Sequence, residues 1–266
     1  MKILIIGAGN MGTTFGASFV QSNLISPDHL YFMDHLPEKA AGIAALSRHE
    51  LALEPGAWVT DMDLVILGVK PQDFPHLAQQ LRTYLRPDQL LLSIMAGISI
   101  AAIQAKLGVE KVVRAMPNLP AQVGQGMTVF STADAVTRIE SYTVQNLLNT
   151  TGKTIFTEDE GQINAATAVS GSGPAYVFYF MNAMIQAALN MGFNQAEAHL
   201  LVRQTCEGAL DLLSKGSLSS QEWIKRVSSR GGTTEAAIQS FDQQQLAQII
   251  QTGMEAARLR AVELSK

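Results

Sequence analysis

The sequence of 266 residues predicts an α/β N-terminal half, a doubly wound parallel sheet, followed by an all-helical C-terminal half. Three observations lead to this fold class. Short apolar runs alternate with helical segments, a glycine-rich turn follows the first run, and strand signals stop near residue 156. Alternation of this kind is typical of βαβ units. We therefore expect two domains, residues 1–155 and residues 156–266.

The predicted elements of the first half follow one another at short intervals. Strands are predicted for the apolar runs at residues 2–6, 29–33, 57–59, 64–69, 90–94, 111–115 and 126–130. Helices are predicted between them at residues 13–22, 38–48, 75–85 and 100–107. Continuous apolar runs are expected of strands that are buried on both faces of a sheet.

Capping signals mark the helices of the second half. Helices are predicted over residues 174–191, 195–215 and 235–241 and from the 242–245 turn to about residue 264, with capping-box spacing at residues 157–160 and 219–222. The helix over residues 174–191 is apolar on every side, and such a helix must be buried. A domain of this size has little protein to surround it, so we expect these helices to form an interlocked homodimer core.

Composition and charge exclude several classes of function. The hydrophobic fraction of 47% is sufficient for a core and excludes extensive disorder. The net charge is -4 and no lysine or arginine run is present, so a nucleic-acid partner is not expected. The single cysteine, Cys206, and five histidines without ligand spacing predict no metal site. Without a signal peptide or a bilayer-length apolar stretch, we expect a cytoplasmic protein with no membrane partner.

A glycine-rich turn joins the first predicted strand to the first predicted helix. It reads Gly7-x-Gly9-x-x-Gly12, in the context that a Rossmann dinucleotide-binding loop requires. Gly7 permits the tight turn, Gly9 lets the backbone approach a pyrophosphate, and Gly12 lets the helix pack on the strand. The N–H groups at the helix start then bind the phosphates. The turn therefore predicts a Rossmann domain that binds NAD(H) or NADP(H).

Asp34 stands at the end of the second predicted strand. A carboxylate at this place accepts hydrogen bonds from an adenosine ribose and repels a 2′-phosphate, which favours NAD over NADP. The alternative interpretation is an aspartate that caps its own loop. Because His35 offsets part of the charge, the choice between the two cofactors stays open.

Three further motifs lie where ligands bind in such folds. Val69-Lys70-Pro71 follows a strong predicted strand, so Lys70 either contacts a cofactor or polar substrate or is simply solvated. Residues 169–174 predict an exposed helix start suited to an anion. The turn at residues 229–234, SRGGTT, enters another predicted helix. Its backbone N–H groups at Gly232, Thr233 and Thr234 are expected to cradle a carboxylate.

Six segments together point to one protein family. They are GAGNMG at residues 7–12, VKPQ at 69–72, SIMAGISI at 93–100, RAMPN at 114–118, SGSGPAYVF at 170–178 and GGTTEAAI at 231–238. With these segments in this order, the chain resembles the pyrroline-5-carboxylate reductase family over essentially its full length. The resemblance implies reduction of 1-pyrroline-5-carboxylate to L-proline with NADPH or NADH, in proline biosynthesis. It also implies a homodimer through the C-terminal helices, and often a ring of dimers.

The resemblance assigns roles by position. The implied cofactor-binding residues are Gly7, Gly9, Asn10, Met11, Gly12, Val69, Lys70, Pro71 and Asn118, to which the residues themselves add Asp34. The implied substrate-binding residues are Ser229, Gly232, Thr233 and Thr234. Thr234 is implied to be catalytic, near the ring nitrogen of the substrate, and Asn118 to lie near the nicotinamide.

Three positions depart from the pattern that is usual in the family. Arg230 stands where proline is usual, which bears on the rigidity and charge of the carboxylate turn. Asn164 stands where an aspartate is usual, and Leu119 where a threonine is common. None of the three removes an implied contact.

The implied chemistry is hydride transfer from nicotinamide C4 to the C=N carbon of the pyrroline. A protonated imine is already electrophilic, so no strong general acid is expected. Proximity then supplies most of the catalysis, up to ~7–11 kcal/mol. The active site is expected in the cleft between the two domains. Two alternatives stay open: a related imine or hydroxy-acid reductase, and a non-enzymatic sensor that binds NAD(P).

Overall fold

Seven strands form one sheet in the computed structural model, which describes residues 1–264. The strands are β1 (Ile3–Ile6), β2 (Leu30–Met33), β3 (Leu64–Leu67), β4 (Leu90–Ser93), β5 (Val112–Met116), β6 (Gly126–Thr132) and β7 (Gly152–Phe156). Their order across the sheet is β2-β1-β3-β4-β5-β6-β7, and every neighbouring pair is parallel except the antiparallel pair β5–β6. The predicted doubly wound sheet is confirmed.

Eleven α-helices accompany the sheet within the described residues. They are α1 (Asn10–Gln21), α2 (Ala40–Ile43), α3 (Phe74–Leu81), α4 (Ile100–Leu107), α5 (Arg138–Asn149), α6 (Gly161–Ala166), α7 (Gly173–Asn190), α8 (Gln195–Lys215), α9 (Ser220–Val227), α10 (Thr233–Gln243) and α11 (Leu246–Leu264). Short 3₁₀ turns connect several of the elements in the first half of the chain.

Alternate residues of the strands contribute to two separate cores. Ile3 and Ile5 of β1 belong to a buried cluster with side chains of α1 and α5. Leu4 and Ile6 belong to a second cluster with side chains of α3 and α4. Helices therefore cover both faces of the sheet, which is what a parallel sheet of continuous apolar strands requires.

The register aligns the ends of the first three strands in the sheet. Ile6 of β1 pairs with Met33 of β2 and with Leu67 of β3. The segments that follow these strands therefore leave the sheet at the same edge, where ligands bind in open α/β sheets. This edge carries most of the predicted cofactor-binding residues.

Contacts along the chain divide the described residues into two units. We call them the sheet unit, Met1–Pro174 together with the end of α11 from Ala257 on, and the helical unit, Ala175–Ala256. The predicted all-helical C-terminal part is confirmed. The boundary between residues 155 and 156 stays a prediction about the limits of the functional domains.

Helices α8 and α9 begin where the capping signals predict, whereas Asp242 lies inside α10 rather than at the cap of α11, which begins at Leu246. The Asn194 side chain accepts a hydrogen bond from the Glu197 N–H (3.0 Å), and the Glu197 carboxylate accepts one from the Asn194 N–H (2.9 Å). Ser219 and Glu222 form the same reciprocal pair at the start of α9. Within residues 1–264, no helix is long and apolar enough to cross a lipid bilayer.

Two predicted elements of the first half were wrong. Residues 57–59 belong to a 3₁₀ helix, Ala57–Asp61, rather than to a strand, because the chain turns after Gly56 and the Val59 N–H bonds to its carbonyl (3.0 Å). The helix predicted over residues 38–48 is short, since α2 ends at Ile43. After α2, the Ser47 hydroxyl donates to the Leu30 carbonyl of β2 (2.6 Å).

The segment between residues 137 and 161 also differs from the prediction. The capping box predicted at residues 157–160 is wrong, because the Thr157 hydroxyl bonds to the Asp159 N–H (3.2 Å) and α6 begins only at Gly161. Helix α5 and strand β7 were not predicted. The apolar residues of β7, Ile155 and Phe156, are half exposed at the sheet edge, so no long apolar run indicates the strand.

Candidate functional site

The turn after β1 has a backbone shape that requires glycine. Gly7 has a φ of +104°, and a Cβ on it would lie 2.7 Å from the Gly68 carbonyl oxygen. A Cβ on Gly12 would lie 2.0 Å from the Gly7 carbonyl oxygen. The turn therefore packs tightly against the end of β3 and against α1, and larger residues do not fit at these two positions.

Gly9 differs from the other two glycines. A Cβ on Gly9 would have no neighbouring atom within 4 Å. Gly9 is the N-cap of α1, its backbone is extended, and no side chain of the described residues caps the helix. The first N–H groups of α1, at Asn10, Met11 and Gly12, thus stand at the positive end of the helix dipole beside open space. This geometry suits an anion.

The Asp34 carboxylate holds the glycine turn. One oxygen accepts a hydrogen bond from the Ala8 N–H (2.8 Å) and the other from the Leu36 N–H (3.0 Å). The side chain is 10% exposed, and His35 Nδ1 lies 3.5 Å from its carboxylate. Asp34 thus caps its own loop, the alternative that the sequence left open, and contact with a ribose stays a prediction.

Val69-Lys70-Pro71 adjoins the glycine turn. A Cβ on Gly7 would lie 3.1 Å from the Val69 nitrogen. The Lys70 carbonyl accepts a hydrogen bond from the Asp73 N–H (2.9 Å), which leads the chain into α3. The Lys70 side chain is exposed. The structure therefore brings Gly7 and Val69 together and leaves the Lys70 ammonium available at the same edge.

Asn118 connects the loop after β5 to a distant part of the sheet unit. Its Nδ2 donates to the Ser170 carbonyl (2.9 Å), and its Oδ1 accepts from the Met127 N–H (2.9 Å). Met116 supports the same contact, since a Cβ on Gly171 would lie 3.0 Å from its Cε. Asn118 therefore orders the loop, and its proximity to a nicotinamide stays a prediction.

The exposed helix start predicted at residues 169–174 was wrong. Residues Thr167–Gly171 form a π-helical turn that continues α6 and leads into α7. The Ser172 N–H bonds to the Thr167 carbonyl (2.8 Å), and the Ser170 hydroxyl bonds to the Ala166 carbonyl (3.0 Å). An anion would not meet a free helix start here. π-Helical turns inside helices are frequent at functional sites.

The turn at residues 229–234 leads into α10. Gly231 has a φ of +71°, and the Gly232 N–H donates to the Ser229 carbonyl (2.9 Å), so this N–H is used within the turn rather than for a ligand. Gly232 is the N-cap of α10 with an extended backbone, and no side chain of the described residues caps the helix. The N–H groups of Thr233 and Thr234 therefore stand at an uncapped helix start.

One charged cluster of the sheet unit was not predicted. Arg114 of β5 is 2% exposed and donates to the carboxylate of Glu160 (2.8 Å) and the side-chain oxygen of Asn164 (2.9 Å). A usable signal was present, because a single arginine in an apolar strand must find a buried partner.

Two family models match parts of the chain. A model described as NADP oxidoreductase, coenzyme F420-dependent, matches residues 2–97. A model described as pyrroline-5-carboxylate reductase dimerisation matches residues 160–264.

The chain is also similar to curated proteins over its full length. It is 36% identical to a pyrroline-5-carboxylate reductase of Pseudomonas aeruginosa, with 100% of this chain and 97% of that protein covered. It is 30% identical to pyrroline-5-carboxylate reductase 2 of Bacillus subtilis, with 100% and 95% covered. A solved structure of a pyrroline-5-carboxylate reductase from Coxiella burnetii superimposes with a TM-score of 0.88 at 29% identity, covering 100% of this chain and 98% of that chain.

Proposed function

Because this chain belongs to the pyrroline-5-carboxylate reductase family, we propose that it reduces 1-pyrroline-5-carboxylate to L-proline by hydride transfer from NAD(P)H, the last step of proline biosynthesis. The observation that carries this proposal is a pair of uncapped helix starts, α1 at Gly9 and α10 at Gly232. The first suits a pyrophosphate and the second a small carboxylate. A sensor that only binds NAD(P) needs no second anion site.

The glycine turn fits a dinucleotide. The open space at Gly9 allows a pyrophosphate to reach the N–H groups of Asn10, Met11 and Gly12. We assign Val69, Lys70, Pro71 and Asn118 to the same cofactor. When bound, the nicotinamide supplies the hydride. The Asp34 carboxylate favours NAD(H), whereas the family model over residues 2–97 is described for NADP, so both cofactors belong in the assay.

The start of α10 fits the substrate carboxylate. The N–H groups of Thr233 and Thr234 donate to it, and Gly232 keeps the backbone accessible. Ser229 stays close to this backbone, since a Cβ on Gly232 would lie 2.5 Å from Ser229 Oγ. The exposed Arg230 adds a positive charge to the turn, which offsets the negative charge of the Glu235 carboxylate that accepts a hydrogen bond from the Gly231 N–H (2.6 Å).

The residues assigned to the substrate act by orienting its imine group. We assign the Thr234 hydroxyl to the ring nitrogen, where its oxygen accepts a hydrogen bond from the protonated imine. The C=N carbon is then held in place for hydride attack, and the electron pair of the C=N bond moves to nitrogen. Holding the reactants in this way is worth up to ~7–11 kcal/mol.

Assembly and location complete the proposal. The dimerisation model over residues 160–264 supports a homo-oligomer, and we propose a homodimer through the C-terminal helices that assembles further into a ring of dimers. We assign cofactor binding to residues 1–155, and dimerisation and substrate binding to residues 156–266. A cytoplasmic location stays a prediction from the sequence.

The proposal is tested by a spectrophotometric assay with 1-pyrroline-5-carboxylate and each of NADPH and NADH. Oxidation of either cofactor with formation of proline is expected. Turnover of only other cyclic imines or of hydroxy acids would favour a related reductase. Binding of cofactor without turnover of any of these substrates would favour the sensor.

Thr234→Ala tests the assigned hydrogen bond. We expect kcat/KM for the pyrroline to fall roughly 10- to 100-fold, the loss of one hydrogen bond to a charged group, with cofactor affinity unchanged. Thr143→Ala in α5 is the matched control, since Thr143 is a partly exposed helical threonine whose hydroxyl donates to the Ile139 carbonyl (2.9 Å). Equal activity of the two variants would remove Thr234 from the mechanism.

A further inference from the structure

Arg114 is a buried charge with an incomplete set of partners. Its Nη1 donates to Glu160 Oε1 (2.8 Å) and its Nη2 to Asn164 Oδ1 (2.9 Å). Its buried Nε has no partner within residues 1–264. Burying an ion pair costs desolvation energy, and apolar side chains of similar volume often stabilise a fold equally well. Stability alone therefore does not explain why the charged Arg114 side chain is buried at this position.

The same carboxylate oxygen joins three elements of the sheet unit. Glu160 Oε1 also accepts a hydrogen bond from the Ile100 N–H (2.9 Å), at the first residue of α4. Glu160 is the N-cap of α6, and Asn164 lies one turn further along that helix. The Arg114 side chain thus fixes the start of α6 relative to β5 and α4.

The other end of this helical run is held by the loop after β5. Asn118 donates to the Ser170 carbonyl (2.9 Å), and Met116 packs against Gly171. Helix α6 continues directly into the π-helical turn Thr167–Gly171. One strand and its loop therefore hold residues 160–171 at both ends, and a shift of α6 at Arg114 would move the π-helical turn and Asn118.

We propose that Arg114 is a positioning residue for hydride transfer, which acts through α6 and Asn118 on the loop assigned to the cofactor. This inference rests on the proposed function. The planar guanidinium meets two acceptors on one helix at once, which the ammonium of lysine does not reproduce. A misplacement of about 1 Å far from the reacting atoms is sufficient to cost about 100-fold in rate.

Arg114→Met and Arg114→Lys test the proposal in the full-length protein. We expect kcat to fall about 100-fold in Arg114→Met, while KM for the pyrroline and affinity for NADPH stay within about threefold. Lys111→Met is the matched control, because Lys111 precedes the same strand and pairs with Glu140 at the same distance of 2.8 Å, and it should keep full activity. Full kcat in Arg114→Met, or a parallel loss of cofactor affinity and folded protein, would overturn the positioning role.

Glu160 provides a second test that is independent of the folding of Arg114→Met. Glu160→Gln keeps an acceptor oxygen for Arg114 and Ile100, so its kcat should stay within about tenfold of the kcat of the unsubstituted protein. The kcat of Glu160→Ala should fall about 100-fold. An equal kcat in the two variants would contradict the proposal.

Amide hydrogen exchange separates this proposal from the proposed function. If the original protein does not oxidise NADPH or NADH with the pyrroline, the proposed function fails, but exchange over residues 161–171 still reports on positioning. Faster exchange there in Arg114→Lys than in Lys111→Met supports the role of Arg114. Identical exchange in the two variants overturns it.

Discussion

Strand β3 and helix α7 are both apolar, yet they differ completely in burial. Leu64, Val65, Ile66 and Leu67 are 0% exposed, because helices of the same chain cover both faces of the sheet. Helix α7 has no buried residue, and Tyr179 is 81% exposed. The sheet unit completes its core within one chain. In the homodimer proposed above, another copy of the chain would cover the apolar surface of α7.

The other helices of the helical unit show the same pattern. Their exposed large apolar side chains are Leu200, Leu201, Leu210, Leu212, Leu213, Ile224, Val227, Phe241, Ile249 and Ile250. Apolar surfaces of this extent mark interfaces between proteins. The match of residues 160–264 to a dimerisation family agrees with this interpretation. The burial of α7 expected from the sequence is not found in the single chain, and it stays a prediction about the proposed oligomer.

A charge on α7 is the strongest test of this comparison. Tyr179→Lys should weaken the homo-oligomer by roughly 100-fold or more, since burying an unpaired ammonium costs several kcal/mol, and activity should be lost with it. Tyr142→Lys is the matched control on α5 of the sheet unit, where the tyrosine is 65% exposed. Sedimentation at micromolar concentration should show a smaller particle for Tyr179→Lys only. An unchanged mass would place α7 outside the interface.

Substitutions at two glycines of the sheet unit distinguish an effect on folding from an effect on cofactor binding. Gly12→Val should destabilise the protein by about 3 kcal/mol, because its side chain would overlap the Gly7 carbonyl. Gly9→Val should keep the stability of the original protein, because the space around Gly9 is open, but should abolish NADPH binding. Urea unfolding and fluorescence titration with NADPH measure the two effects. Tight binding by Gly9→Val would refute the assignment of the glycine turn.

Local signals were sufficient for a large part of the fold. Helices α4 and α8 have the predicted bounds, because Ser99 and Asn194 cap their starts and Gly108 and Gly216 follow their ends. The glycine turn was also predictable, since Gly7 and Gly12 meet the backbone constraints of one short segment.

Contacts between distant segments decided the features that were not predicted. Whether residues 169–174 begin a helix depends on α6, because α6 continues through the π-helical turn directly into α7. The partners of Asp34 and Arg114 lie 26 and 46 residues away along the chain, at Ala8 and Glu160. A sequence pattern indicates that a buried charge needs a partner but does not identify the partner.

The smallest expected effect concerns the ion pair of Lys111 and Glu140 in the sheet unit. Burial alone would raise the pKa of Glu140, but hydrogen bonds from Lys111 and Thr137 outweigh it and hold this pKa below 4.5. The hydrogen bond to Glu140 raises the pKa of Lys111 above 10.5. The contribution of Glu140 to stability is therefore present above about pH 4.5, and it is lost as the pH falls through the folded pKa of Glu140. The contribution of Lys111 is present below pH 10.5, and it is lost as the pH rises through the folded pKa of Lys111.

Lys111→Met should lower Tm by about 2 °C near neutral pH, and the difference from the original protein should disappear below the folded pKa of Glu140. Lys215→Met is the control, since Lys215 and Asp211 form an exposed pair at 2.8 Å on α8. Its Tm should match the original at every pH, because exposed pairs contribute little. Thermal melts across the acid range check both variants. A difference for Lys111→Met that persists in strong acid would show that packing of the lysine stem, rather than its charge, stabilises this part of the sheet unit.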